Sequence, residues 1–66
     1  MYDNGQELIT DLHFQAHMDA DIPVQVYYQN KHKDIGYVEY FTPSYIKINN
    51  TYYNRYLYTF VSRPGY

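Results

Sequence analysis

Pro23 divides this chain into two segments with different hydrophobic periods. A proline lacks the backbone N–H that a helix needs and drives the residue before it, here Ile22, toward extended geometry, so a regular helix ends at this point. On the N-terminal side, residues 4–21 (NGQELITDLHFQAHMDAD) place Leu8, Ile9, Leu12 and Ala16 near helical spacing, with Phe14 and Met18 less regular. Asn4 suits the N-cap, and Glu7, three residues on, suits a capping box. Glu7 and Asp11 also complement the positive end of the helix. The spacing predicts a helix over about residues 5–20.

Beyond Pro23 the period falls to two. Residues 22–30 (IPVQVYYQN) set Val24, Val26 and Tyr28 against Gln25, Tyr27 and Gln29, the alternation of a strand. KHKD at 31–34 reads as a polar turn. A second strand follows over 35–41, with Gly36 near its start marking a bend or bulge. Val38 and Phe41 are three apart, so they share an inner face only if that strand is curved or bulged. Thr42-Pro43-Ser44 turns the chain. Residues 45–49 alternate again with Ile46 and Ile48 as the buried pair, Asn50-Thr51 turns, and 51–66 supplies the last strand or pair of strands. The expected architecture is mainly β: an N-terminal α-helix lying across a small, strongly bent, five-stranded antiparallel barrel. It forms a single domain over 1–66, with strands over about 22–66.

Such a barrel is hard to stabilise alone. A chain of 66 residues buries only about 60 % of the surface its unfolded form exposes. Without cysteine no disulfide or Cys-based zinc site can help, which leaves tight packing or oligomerisation. The absence of cysteine and of any long apolar run leads to the expectation of a cytoplasmic protein with no membrane partner. The net charge of −2 is not the footprint of a general nucleic-acid binder, so any RNA binding has to rest on local charge or on stacking. Eleven tyrosines are the means for stacking, and five of them fall in the last sixteen residues.

Catalytic chemistry has no foothold in the sequence. It holds no Ser with a nearby His in a strained turn, no Gly-rich phosphate loop and no paired carboxylates, so neither an enzyme nor a cofactor is expected. His13, His17 and Asp21 lie along one helix side at i, i+4 and i+8, but no fourth ligand is evident and no functional metal is expected.

The order of these pieces resembles the bacterial Sm-like RNA chaperone Hfq family. Gly5-Gln6 and Leu8 are similar to the family's opening GQ-x-L, and residues 22–30 to its first strand, V-P-V-x-I-Y-L-x-N. Residues 36–41 (GYVEYF) are similar to its G-x-I-E-x-F, residues 53–59 (YNRYLYT) to its Y-K-H-A-I-S-T, and Ser62-Arg63-Pro64 to the S-R-P that follows. The resemblance implies an Sm fold in a homohexameric ring, in which the last strand pairs with a neighbouring subunit and covers its edge. It also implies binding of U-rich RNA on the helix side and A-rich RNA on the opposite side. An SH3-like barrel working as a monomer is a further reading of the same pattern.

Carried over residue by residue, the resemblance assigns Tyr53, Asn54 and Arg55 to a proximal-type RNA site. It assigns Tyr27, as a stacking ring, and Lys33 to a distal-type site. The departures weaken the first. Asn54-Arg55 replaces the family's Lys-His, Pro43 and Ser44 replace its Gln and Phe, and residues 18–21 (MDAD) replace a basic rim with an acidic one. A-rich RNA is therefore expected to bind better than U-rich RNA. Lys31, His32 and Lys33 read as a solvated hairpin tip. Leu57 and Val61 are expected in the core, and Tyr56, Tyr58 and Phe60, on the alternate face, at the seam between subunits. The expected function is an Hfq-like ring protein that binds single-stranded RNA as a post-transcriptional regulator or RNA chaperone. The alternative is an oligomeric protein-interaction module or inhibitor with the same barrel and no RNA binding.

Overall fold

The structure, a computed structural model, describes residues 2–66. In chain order the elements are β1 (Glu7–Leu8), α1 (Asp11–Asp19), β2 (Val24–Tyr28), β3 (Lys31–Gly36), β4 (Val38–Phe41), β5 (Tyr45–Ile48), β6 (Thr51–Asn54) and β7 (Thr59–Ser62). The strands form two antiparallel sheets, one ordered β1-β7-β2-β3 and the other β4-β5-β6. The fold is thus mainly β with one short helix. Among the described residues no helix is long and apolar enough to cross a membrane.

The N-terminal segment departs from the expected helix over 5–20. Leu8 sits in β1, opposite Phe60 of β7, and is 3 % exposed. The Gly5 N–H donates to the Ser62 carbonyl (2.7 Å) and the Ser62 N–H to the Gln6 carbonyl (2.8 Å), fixing β1 beside β7. A helix over these residues would leave Leu8 on a short amphipathic turn, whose stability depends on tertiary packing in any case. Burial in the sheet wins, and α1 starts later. Its N-cap is Thr10 rather than Asn4, with the Thr10 hydroxyl accepting from the His13 N–H (3.3 Å). His13 takes the return half of the capping box in place of Glu7. Its Nδ1 accepts from the N–H groups of Ile9 (2.9 Å) and Thr10 (3.3 Å). Phe14 and His17 face the core, whereas Leu12 and Ile9 point to solvent.

KHKD is strand, not turn. The β2–β3 reversal uses Gln29 and Asn30, both left-handed at φ 48° and 65°, and pairs Tyr28 with Lys31. Two consecutive left-handed residues make the primed hairpin turn whose twist matches the flanking strands. Asn49 and Asn50 do the same between β5 and β6, at φ 52° and 62°. The expected strand over 35–41 is split at Tyr37, where the chain leaves the first sheet and enters the second. Gly36 permits the crossing because a Cβ there would lie 2.9 Å from the Asn49 side chain and from Ile48 Cγ2. A register shift between Val38 and Tyr40 makes Glu39 a bulge, which lets Val38 and Phe41 both face inward.

The core lies between the sheets and under α1: Leu8, Phe14, Val24, Val26, Val38, Ile46, Ile48 and Phe60. Three C-terminal expectations are corrected. Phe60 is core, at 2 % exposure, and Leu57 is 62 % exposed in the turn before β7. Val61 is half-buried on the outward side. Pairing sets this phase: Phe60 lies opposite Val26 and Leu8, and Ser62 opposite Val24, so the inward set is Phe60 and Ser62. A slip of one residue exchanges the two faces of a strand.

Candidate nucleic-acid interface

Tyr53, Asn54 and Arg55 come together, but each is committed within the chain. The Tyr53 hydroxyl, on β6, donates to Asp34 Oδ2 on β3 (2.7 Å). Asp34 Oδ1 also accepts from the Ile35 N–H and from Asn49 Nδ2, both at 2.8 Å. Burial alone pushes the Asp34 carboxyl up, but the bonds from Tyr53, Asn49 and the Ile35 N–H outweigh it and hold the group below its usual range. Burial, then the hydrogen bond and charge of Asp34, push the Tyr53 phenol up to about 12. Asn54 closes a turn, its Oδ1 accepting from the Tyr56 N–H (2.7 Å) and its carbonyl from the Tyr58 N–H (3.0 Å). Arg55 Nη1 donates to Asp11 Oδ1 (2.6 Å) and the Thr42 carbonyl (2.7 Å), and Nη2 donates to the Ile9 carbonyl (2.9 Å). Its guanidinium carbon lies 4.8 Å from the centre of the Phe14 ring. Arg55 therefore ties α1 to the 42–44 turn and β6, and little of its charge faces a ligand.

Tyr27 stands on the outer face of the first sheet, half-buried. Its ring meets His32 edge-on at 5.8 Å. Its hydroxyl donates to Gln25 Oε1 (3.1 Å) and accepts from Arg63 Nη2 (3.2 Å), and Arg63 Nε donates to the same Gln25 oxygen. Lys33 is exposed at the bulge where β3 shifts register between Asp34 and His32. The sequence reading missed Gln25, His32 and Arg63 as neighbours of Tyr27. For Gln25 the signal was available, since it shares a strand face with Tyr27; His32 and Arg63 required the strand register.

A second aromatic surface went unread in the sequence. On the outer face of the second sheet, Tyr40, Lys47 and Tyr52 are consecutive cross-strand partners, and Tyr45 is next to them. Tyr40 and Tyr52 are 54 % and 57 % exposed. Tyr45 and Tyr52 meet edge-on at 6.4 Å, and Lys47 Nζ lies 5.5 Å from the Tyr52 ring centre. The alternation against Ile46 and Ile48 marks Tyr45 and Lys47 as outward. Adding Tyr40 and Tyr52 to the same face needs the Glu39 bulge and the Asn49-Asn50 turn.

The residues assigned to a subunit seam divide. Phe60 is core. Tyr58 is half-buried against Tyr53 (5.0 Å) and Tyr28 (5.4 Å) of its own chain, and Tyr56 projects at 81 % exposure. Beside Tyr56 is a groove of about 300 Å³ lined by Leu8, Ile9, Pro43, Arg55, Tyr56 and Tyr58 among others. His13 and His17 do not pair for a metal. His17 Nδ1 donates to the His13 carbonyl and its Nε2 accepts from the Ser62 hydroxyl, both at 2.7 Å, and the Tyr2 ring covers it at 4.4 Å. Burial lowers the His17 pKa, against the opposing pull of the His13 carbonyl. Among the described residues no three His, Asp or Glu side chains gather as a metal site. Comparison with protein-family models, curated proteins and solved structures finds no match to this chain.

Proposed function

We propose that the chain is an Sm-like domain that binds single-stranded RNA and assembles as a ring, six-membered by the family resemblance. The strand order supports the architecture. With β3 and β4 counted as one strand bent at Tyr37, the succession is β7-β2-β3/β4-β5-β6, five antiparallel strands in a strongly bent path, with β1 added beside β7. In a small sheet protein this leaves β1 and β6 as the terminal strands, and a ring joins them to bury both edges.

The observation that carries RNA binding is Tyr27: a ring on an open sheet face, edge-on to His32 and hydrogen-bonded to Arg63. A base stacked on such a ring gains about 1–3 kcal/mol whatever its sequence, and Lys33, exposed in the adjoining bulge of β3, supplies a cation for phosphate. Because Arg55 is consumed by Asp11, Thr42 and Ile9, a uridine pocket around Tyr53 has little free charge. A-rich oligonucleotides are therefore expected to bind more tightly than U-rich ones in a fluorescence-anisotropy titration, with a shallow dependence on salt. Equal or reversed preference overturns the reading.

The second reading, a protein-interaction module, is favoured by the groove beside Tyr56 and by exposed Ile9, just before α1, and Leu12, in its first turn. The absorbance ratio at 260 and 280 nm after a high-salt wash separates the two, since a nucleic-acid binder carries bound RNA through purification.

A further inference from the structure

We propose that the outer face of β4, β5 and β6 is a second stacking site for single-stranded RNA, with bases on Tyr40 and Tyr52 and a phosphate at Lys47. The inference rests on the reading of the chain as an RNA-binding domain and assigns it a surface distinct from the Tyr27 face. Register places the three side chains in one row across the sheet, Tyr40 opposite Lys47 and Lys47 opposite Tyr52. Two inter-strand spacings separate the tyrosines, roughly 10 Å, a span that one nucleotide step covers with its bases splayed apart. The inner side of the same strands is fully spent on Ile46, Ile48 and Val38, so these rings are not needed by the core.

Charge selects the occupant. Both arginines are bound inside the chain, Arg55 to Asp11 and Arg63 to Gln25 and Tyr27. Lys31 and Lys33 are exposed on β3 of the other sheet, so Lys47 is the cation of this face; its carboxylate partner among the described residues is Glu39, at the long distance of 4.0 Å, and Glu39 also accepts from the Asn50 N–H at 3.0 Å. A cation between two exposed tyrosine rings, resting against one of them, matches a polymer that alternates planar bases with phosphates.

The test is fluorescence anisotropy with a short fluorescein-labelled oligoadenylate on the full chain. Tyr52→Ser and Tyr40→Ser should each weaken binding about tenfold, while Tyr52→Phe, which keeps the ring, should retain it. Lys47→Gln should weaken binding and lower the slope of log affinity against log salt by about one. Glu39→Gln removes the competing carboxylate and should tighten binding, a gain that loss of folding cannot imitate. If the Tyr40→Ser/Tyr52→Ser double variant binds like the wild type while Tyr27→Ser abolishes binding, this site is wrong and the RNA-binding reading stands. A wild-type chain that binds no RNA removes both. A fall in oligomer mass on Tyr40→Ser/Tyr52→Ser shows the face to be a contact between copies and also overturns the site.

Discussion

At the scale of single residues, two buried polar groups set how stability responds to pH. His17 is fully buried and neutral, accepting from Ser62 while donating to the His13 carbonyl. Its folded pKa lies below the ordinary 6.5, so the unfolded chain takes up the proton first. Stability from this group is complete above pH 6.5 and falls as pH drops toward the folded value, by at most about 1.4 kcal/mol per unit. Urea denaturation at pH 7.5 and 5.5 should show that loss; an unchanged midpoint would argue that His17 titrates normally. Tyr53 works in the other direction. Its phenol is raised from 10 to about 12, so its contribution is whole below pH 10 and fades between the two values. Tyr53→Phe should cost about 1 kcal/mol at neutral pH by removing one donor from Asp34. The gap between wild type and variant should then close as the pH is raised past 10. A gap that stays constant would exclude the Asp34 bond as its cause. Neither role was legible locally: Tyr53 and Asp34 are nineteen positions apart and His17 and Ser62 forty-five.

At the scale of elements, turns and strand phase decided most of the differences. Alternation in 22–30 and 45–49 was enough to find β2 and β5 and their buried Val24, Val26, Ile46 and Ile48, because a period of two is visible in four residues. The helix was harder. Its expected start at residue 5 used sound capping chemistry at Asn4 and Glu7, yet Leu8 is worth more against Phe60 than on a helix. The β2–β3 turn is also suboptimal. Gln29 holds a left-handed φ of 48° that suits Asn or Gly better. Replacing Gln29-Asn30 with Asn-Gly should raise stability by about 1 kcal/mol and lift the thermal midpoint accordingly, read by circular dichroism. A lower midpoint would mean that the Gln29 side chain makes contacts that outweigh the backbone strain.

At the scale of the whole molecule, the open question is assembly. Light scattering on a sizing column should give a mass of several chains, because a 66-residue chain builds only a small core and leaves the edge strands of its sheets uncovered. A single-chain mass would overturn the ring and leave the monomeric SH3-like reading. The within-chain pairing of β1 with β7 already changes what such a ring must do, since the last strand's edge is filled at Phe60 and Val61. The mainly β class, the end of the helix before Pro23, the strands with clear alternation and the low count of Lys and Arg were legible in the residues alone, because each follows from local chemistry. The phase of β7, the conversion of residues 7–8 from helix to strand, the inward roles of Phe60 and His17, and the engagement of Arg55 emerge only in the folded chain. It also gathered Tyr40, Lys47 and Tyr52 into one row. Those outcomes depend on which strand pairs with which and in what register, a competition between distant contacts for burial that no local pattern encodes.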